Sequence, residues 1–191
     1  MLFYIKNIYF KNMSFSTFEF TTESDEERFS EKSISNHLFN AISKILNQIV
    51  HQSKKLPNYL DIIKSQEKMS FSSKKVPNIS IKDYLKRIQT YSELENSTLI
   101  VSLIYIDRIC QLGKIVLTSH NIHRILFCAI YLALKYNEDQ IYKTDYYAQI
   151  AGISIKELNL LENEFVSFID FNFFIDDQLY SKYENYLKNF E

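Results

Sequence analysis

Residues 122–136 read IHRILFCAIYLALKY and residues 154–169 read SIKELNLLENEFVSFI, and these two stretches decide the fold. The first is apolar on nearly every side, and a helix apolar all round belongs at the centre of a core. In the second, Leu158, Leu161, Phe165, Phe168 and Ile169 return at steps of three and four, the spacing of an amphipathic helix. Ser154 with Glu157 three residues on reads as a capping box at its start. Each helix also carries a charge that a buried helix does not need. Lys135 stands at the end of the first and Glu162 in the middle of the second. Packed side by side, the two helices would place both charges on one rim of an otherwise apolar surface. A rim of that kind suits the backbone and the ends of a partner helix.

Working outward, the same periodicity predicts three more helices. Ile81, Tyr84, Leu85 and Ile88 form a stripe behind a Ser80 cap. Leu99, Ile100, Leu103, Ile104, Ile106, Ile109 and Cys110 form another, started by Ser97 or Thr98 and ended by Gly113. The central helix starts at Thr118 or Ser119. A short fourth one, with Tyr146, Tyr147 and Ile150, runs from Thr144 to Gly152. Gly113 and Gly152 each follow a helical run, where a left-handed C-cap favours glycine. Pro57 and Pro77 fall between helical candidates, and no strand pattern competes. The expectation is an all-α chain whose five consecutive helices occupy residues 77–176.

Three segments flank this unit. Residues 1–32 form an arm rich in Phe and Tyr, read as a poorly ordered terminus or a strand-like arm, with an acidic linker over 21–27. Residues 33–76 hold a flanking helix, in which Ile34, Leu38, Ala41, Ile42, Ile45, Leu46 and Ile49 make the stripe and Ser33 or Ser35 the cap. A linker rich in Lys and Ser follows, with a short helix near residues 59–63 and its lysines solvated. Residues 177–191 carry a last amphipathic helix that covers the open end of the bundle.

Composition narrows the function. A net charge of −1 leaves no electrostatic footprint for DNA or RNA. Cys110 and Cys128 lie inside apolar helical runs, as core thiols of a reducing compartment do, which fits the cytoplasm, the nucleus or both. No apolar run is long enough to span a membrane. There is no glycine-rich phosphate loop, nucleophile elbow or HExxH pattern. His120 and His123 lack a Cys or carboxylate at metal-ligand spacing. The tyrosines fall at helical spacings and read as packing. No catalytic residue, metal, cofactor or small-molecule substrate is therefore expected.

Several short motifs then add up. YIDR at 105–108, LTSHNIHR at 117–124, LKYNE at 134–138, YAQIAGIS at 147–154, ELNLLE at 157–162 and Phe171 come in one order at compatible spacing. Together, over about residues 78–174, they resemble a cyclin box, and most of all the P- and U-type cyclins. The resemblance implies a five-helix cyclin fold that binds a cyclin-dependent protein kinase and activates it by holding its regulatory helix in the active position. It implies kinase-binding roles for Lys135 and Glu162, with Leu132, Val166 and Phe171 as apolar contacts. It gives Asp107 and Arg108 a bracing role. The chain departs from cell-cycle cyclins in lacking the MRAIL motif, with Tyr84 at the place of their Trp, which speaks against substrate docking of the RxL kind. Asn137 stands where many cyclins have an acid. The alternative is a cyclin-fold scaffold or transcription-related binding module without kinase activation. Lys135 and Glu162 on opposite faces would favour the scaffold.

Overall fold

The computed structural model describes residues 36–190. Eight helices follow one another in it: α1 (Asn36–Ser53), α2 (Tyr59–Gln66), α3 (Ile81–Ser92), α4 (Asn96–Leu112), α5 (Ile122–Asn137), α6 (Thr144–Ala151), α7 (Ile155–Phe168) and α8 (Asp177–Lys188). No strand occurs among the described residues. The expectations for residues 1–32 and for a Ser33 or Ser35 cap fall outside them.

The all-apolar sequence of α5 has the predicted result. Every residue from Ile125 to Leu134 is buried. The helix packs most extensively on α4, and α3, α6 and α7 also lean on it. α1 buries Leu38, Ala41, Ile42, Ile45, Leu46 and Ile49 and lies against α3 and α8. α8 closes the end of the bundle, where the Tyr183 hydroxyl donates to the Asp107 carboxylate at 2.6 Å.

Helix starts show which local signals hold. Ser80, Ser154 and Asp176 accept from the backbone N–H three residues on, at 3.0, 3.1 and 2.7 Å, each cap contributing about 1 kcal/mol. The capping box of α7 is only half made. Glu157 pairs with the Arg124 guanidinium, a charged donor that outcompetes a backbone amide. α4 starts at Asn96 and α5 at Ile122, not at the hydroxyl residues expected. The two at α4 work elsewhere: Thr98 donates to Glu138 at 2.7 Å, and Ser97 to Glu95 at 3.2 Å.

Of the two glycines, Gly152 is left-handed at φ 75° as expected, whereas Gly113 is right-handed at φ −76°. The left-handed residue there is the next one, Lys114, at φ 52°. Gly113 is small for a different reason: a Cβ would stand 2.7 Å from the Ile109 carbonyl and 3.2 Å from the Phe168 ring. Gly113→Ala is expected to strain the end of α4 and crowd Phe168 of α7, at a cost of about 1–3 kcal/mol, read as a lower denaturant midpoint at unchanged slope.

The linker differs most from its sequence reading. Its lysines, Lys54, Lys55, Lys64, Lys68, Lys74 and Lys75, are exposed as expected, but the backbone between them is bound to the bundle. Gln66 exchanges two hydrogen bonds with the backbone of Val116, at 2.8 and 3.1 Å. Phe71 is only 1% exposed and meets Phe165 edge-on, with ring centroids 6.0 Å apart. The Ser70 N–H donates to Glu164 at 2.8 Å, and Arg124 donates to the Ser70 and Ser72 carbonyls at 3.1 and 2.8 Å.

The two histidines are also taken up by this part of the chain. His120 Nδ1 lies 2.9 Å from the Ser73 carbonyl, and His123 Nε2 lies 2.9 Å from that of Ile79. Among the described residues no three metal-ligating side chains gather, and no helix is long and apolar enough to cross a membrane. Burial lowers the pKa of His123, and the bond to Ile79 offsets this only in part. A lowered native pKa means that the unfolded chain protonates first as the pH falls. Stability from this group is complete above its ordinary value of 6.5 and declines below it, down to the native pKa. Melting curves between pH 7 and pH 5 are expected to show a shallower acid loss for His123→Gln than for the wild type.

Candidate partner-binding surface

Three pieces of chain meet where α5 ends: the last turn of α5, the middle of α7 and the turn that follows α7. At the end of α5 the burial stops abruptly after Leu134, and the next side chain is Lys135. Its ammonium donates to Glu162 of α7, and it also lies 5.3 Å from the centroid of the Tyr131 ring. The Lys135 side chain is 38% exposed and that of Glu162 is 19% exposed. Burial alone would lower the pKa of Lys135, but the hydrogen bond and charge of Glu162 outweigh it and leave the pKa raised. An ion pair this open to water contributes about 0–1 kcal/mol, so stability does not explain it. Beneath it Cys128 is fully buried, and burial, with the Glu162 charge added, pushes its thiol up and keeps it inert.

After α7 the chain turns sharply. Asp170 and Phe171 are both left-handed, with φ of 52° and 55°. Such a conformation costs a residue with a Cβ on the order of 1 kcal/mol or more. The Phe171 N–H closes the helix end by donating to the Val166 carbonyl at 3.1 Å. Two side chains of α4 hold the rest. Arg108 donates to the carbonyls of Asn172 and Phe174 at 2.5 and 2.8 Å, and the Tyr105 hydroxyl donates to that of Phe173 at 3.1 Å. The Phe173 ring stands edge-on to Tyr105 and stacks on Tyr136, each at 5.6 Å. The rings left in solvent are Phe171, Phe174 and Tyr136, at 74, 71 and 58% exposure. Scattered exposed apolar residues need no explanation, but these sit on one turn and on the helix end stacked against it.

The structure thus brings Lys135 and Glu162 together on one rim, with Val166 half-buried one turn beyond Glu162 and Phe171 outward. Leu132 is different. It is 4% exposed, one turn short of the point where α5 emerges, and serves as core beneath the surface. Tyr136, Phe173 and Phe174 belong to this surface and were not among the expected site residues. Their only sequence signal is aromatic density after each helix, in Tyr136 behind Lys135 and in the run FNFF at 171–174. The stack of Tyr136 on Phe173 joins two helix ends, which helical periodicity cannot register.

The family model for cyclins matches this chain over residues 20–173, and the chain belongs to the cyclin family. The match begins well before α3 and takes in α1 and α2. Among its relatives, the chain is 36% identical to Cyclin-U2-1 of Arabidopsis thaliana over 116 residues, which cover 59% of this chain and 51% of the relative. It is 30% identical to PHO85 cyclin-7 of Saccharomyces cerevisiae over 168 residues, 78% of this chain and 59% of that one. It is 43% identical to the PHO85 cyclin-like protein psl1 of Schizosaccharomyces pombe over 107 residues, 55% and 44% of the two chains. The chain therefore spans about half the length of the curated relatives it matches.

Proposed function

We propose that this chain is a regulatory subunit that binds a cyclin-dependent protein kinase and holds the kinase's regulatory helix in the active position. The observation that carries the reading is the Lys135–Glu162 pair, set beside an exposed aromatic turn in a chain of the cyclin family. A kinase needs the Lys–Glu pair between its β-strand and its mobile helix to be closed before phosphoryl transfer. A partner that binds only the inward position of that helix shifts the equilibrium toward activity and performs no chemistry of its own.

In this reading Lys135 and Glu162 exchange each other for the kinase backbone. The ammonium takes carbonyl acceptors at a helix C-terminus, and the carboxylate takes N–H donors. Phe171, Phe174, Tyr136 and Val166 supply the apolar contact that such an interface needs at its centre, while Leu132 supports them from within. The chain contributes no catalytic residue, metal or cofactor to the reaction, and it binds neither nucleic acid nor membrane. A partner of this kind sets its work in the cytoplasm, the nucleus or both.

Two of the relatives carry PHO85 in their names, which makes the PHO85 kinase of Saccharomyces cerevisiae the first probe. The purified chain is expected to bind that kinase and raise its rate on a peptide substrate. Binding without a gain in rate would make the chain a cyclin-fold binding module. No binding to this or any other cyclin-dependent kinase offered would sink the proposal.

A further inference from the structure

The turn at residues 170–174 is shaped against its own preferences. Two consecutive residues with side chains are left-handed, and the phenylalanine among them faces water. Sterics and the hydrophobic effect both favour relaxation of such a turn. The bonds that hold its three following carbonyls come from two side chains one turn apart on α4, Tyr105 and Arg108. We propose that Arg108 and Tyr105 are positioning residues for partner binding, which act by holding this turn so that Phe171 and Phe174 are presented before the partner arrives. The inference rests on the kinase-binding reading and deepens it.

Three features favour positioning over direct contact. Tyr105 is fully buried, so its hydroxyl reaches a partner only through the turn. Arg108 spends both terminal nitrogens on two carbonyls of the turn, a planar fork that a lysine ammonium cannot reproduce. Phe173, which lies between the two exposed rings in sequence, is clamped from both sides by Tyr105 and Tyr136. A surface fixed in advance loses less freedom on binding, and affinity gains accordingly.

The test compares kinase affinity, with PHO85 as probe, across Tyr105→Phe, Arg108→Lys and Arg108→Ala. Tyr105→Phe removes one hydroxyl and is expected to weaken binding roughly threefold, and Arg108→Ala, which removes two charge-assisted hydrogen bonds, roughly tenfold or more. Arg108→Lys is expected to fall between them. The decisive readout is coupling. In a chain already carrying Phe171→Ala and Phe174→Ala, the same three substitutions are expected to cost nothing further. Hydrogen exchange provides the structural control: the Phe171 amide is expected to exchange faster in Arg108→Ala while the α5 amides do not change. If Arg108→Ala fails to fold, Tyr105→Phe and Arg108→Lys carry the comparison.

Wild-type binding with unchanged affinity in the variants overturns the inference and leaves the kinase reading standing. Full additivity with the phenylalanine pair also overturns it, because the α4 side chains would then act elsewhere. No kinase bound by the wild type overturns the kinase reading and this inference with it.

Discussion

Lys135→Glu is expected to weaken kinase binding by at least about 100-fold, in line with the loss of a hydrogen-bonded charge at an interface, while stability changes by about 1 kcal/mol or less. The asymmetry follows from where the pair sits. In the free chain Lys135 is paired with Glu162 at a surface where water screens it, so the fold loses little. In the complex the same ammonium would be desolvated, and a carboxylate there faces both Glu162 and the partner's carbonyls. The double variant Lys135→Glu, Glu162→Lys sharpens the test. It restores an intramolecular pair and should melt like the wild type, yet still fail to bind, because each charge now meets the wrong end of the partner helix. Calorimetric titration measures the affinity and thermal melting measures the fold. Recovery of binding by the swapped pair would show that the two residues matter only to each other.

The largest stability loss is expected at a residue outside the five-helix unit as the sequence divides it. Phe71→Ala should destabilise the chain by about 3–5 kcal/mol, the usual cost of emptying an aromatic site. A domain of this size is stable by only about 5–15 kcal/mol. Phe71 is 1% exposed and packs on both Phe165 and Phe168 of α7. Leu60, which is 72% exposed on α2, is the control, and Leu60→Ala should change stability by less than about 0.5 kcal/mol. Urea denaturation of both variants decides the matter. Equal midpoints would mean that the linker merely rests on the bundle.

What the sequence disclosed and what it hid have separate physical causes. Helical periodicity is local, so α3 to α7 were legible, and so was the stripe of α1. The Ser80 and Ser154 caps are local too and were read correctly. The placement of Lys135 and Glu162 on one rim followed from two buried helices lying side by side. Features that depend on distant partners were not legible. Glu157 forms its pair with Arg124 and not with its own helix end, Phe168 adds to the crowding that the Ile109 carbonyl already imposes at Gly113, and Phe71 is a single aromatic in a run of Ser and Lys. Leu132, an apolar partner contact by family resemblance, is 4% exposed in the free chain, one turn before α5 surfaces at Lys135. The exposed rings of the turn after α7 depend on tertiary bonds from Arg108 and Tyr105, which no spacing rule contains.

The bonds of the linker also set an order in which the molecule can assemble. Gln66 reaches Val116, 50 positions downstream, and the Ser70 amide reaches Glu164, 94 positions downstream. Closing loops of that length costs entropy before any contact repays it, and contacts of long sequence separation slow folding. Val116 lies in the loop ahead of α5 and Glu164 on α7, so the linker's two partners come from separate parts of the chain. The linker is therefore expected to lock late in folding. Proteolytic nicking between Gln66 and Val76 during refolding, persisting after the helical signal has recovered, would report that delay.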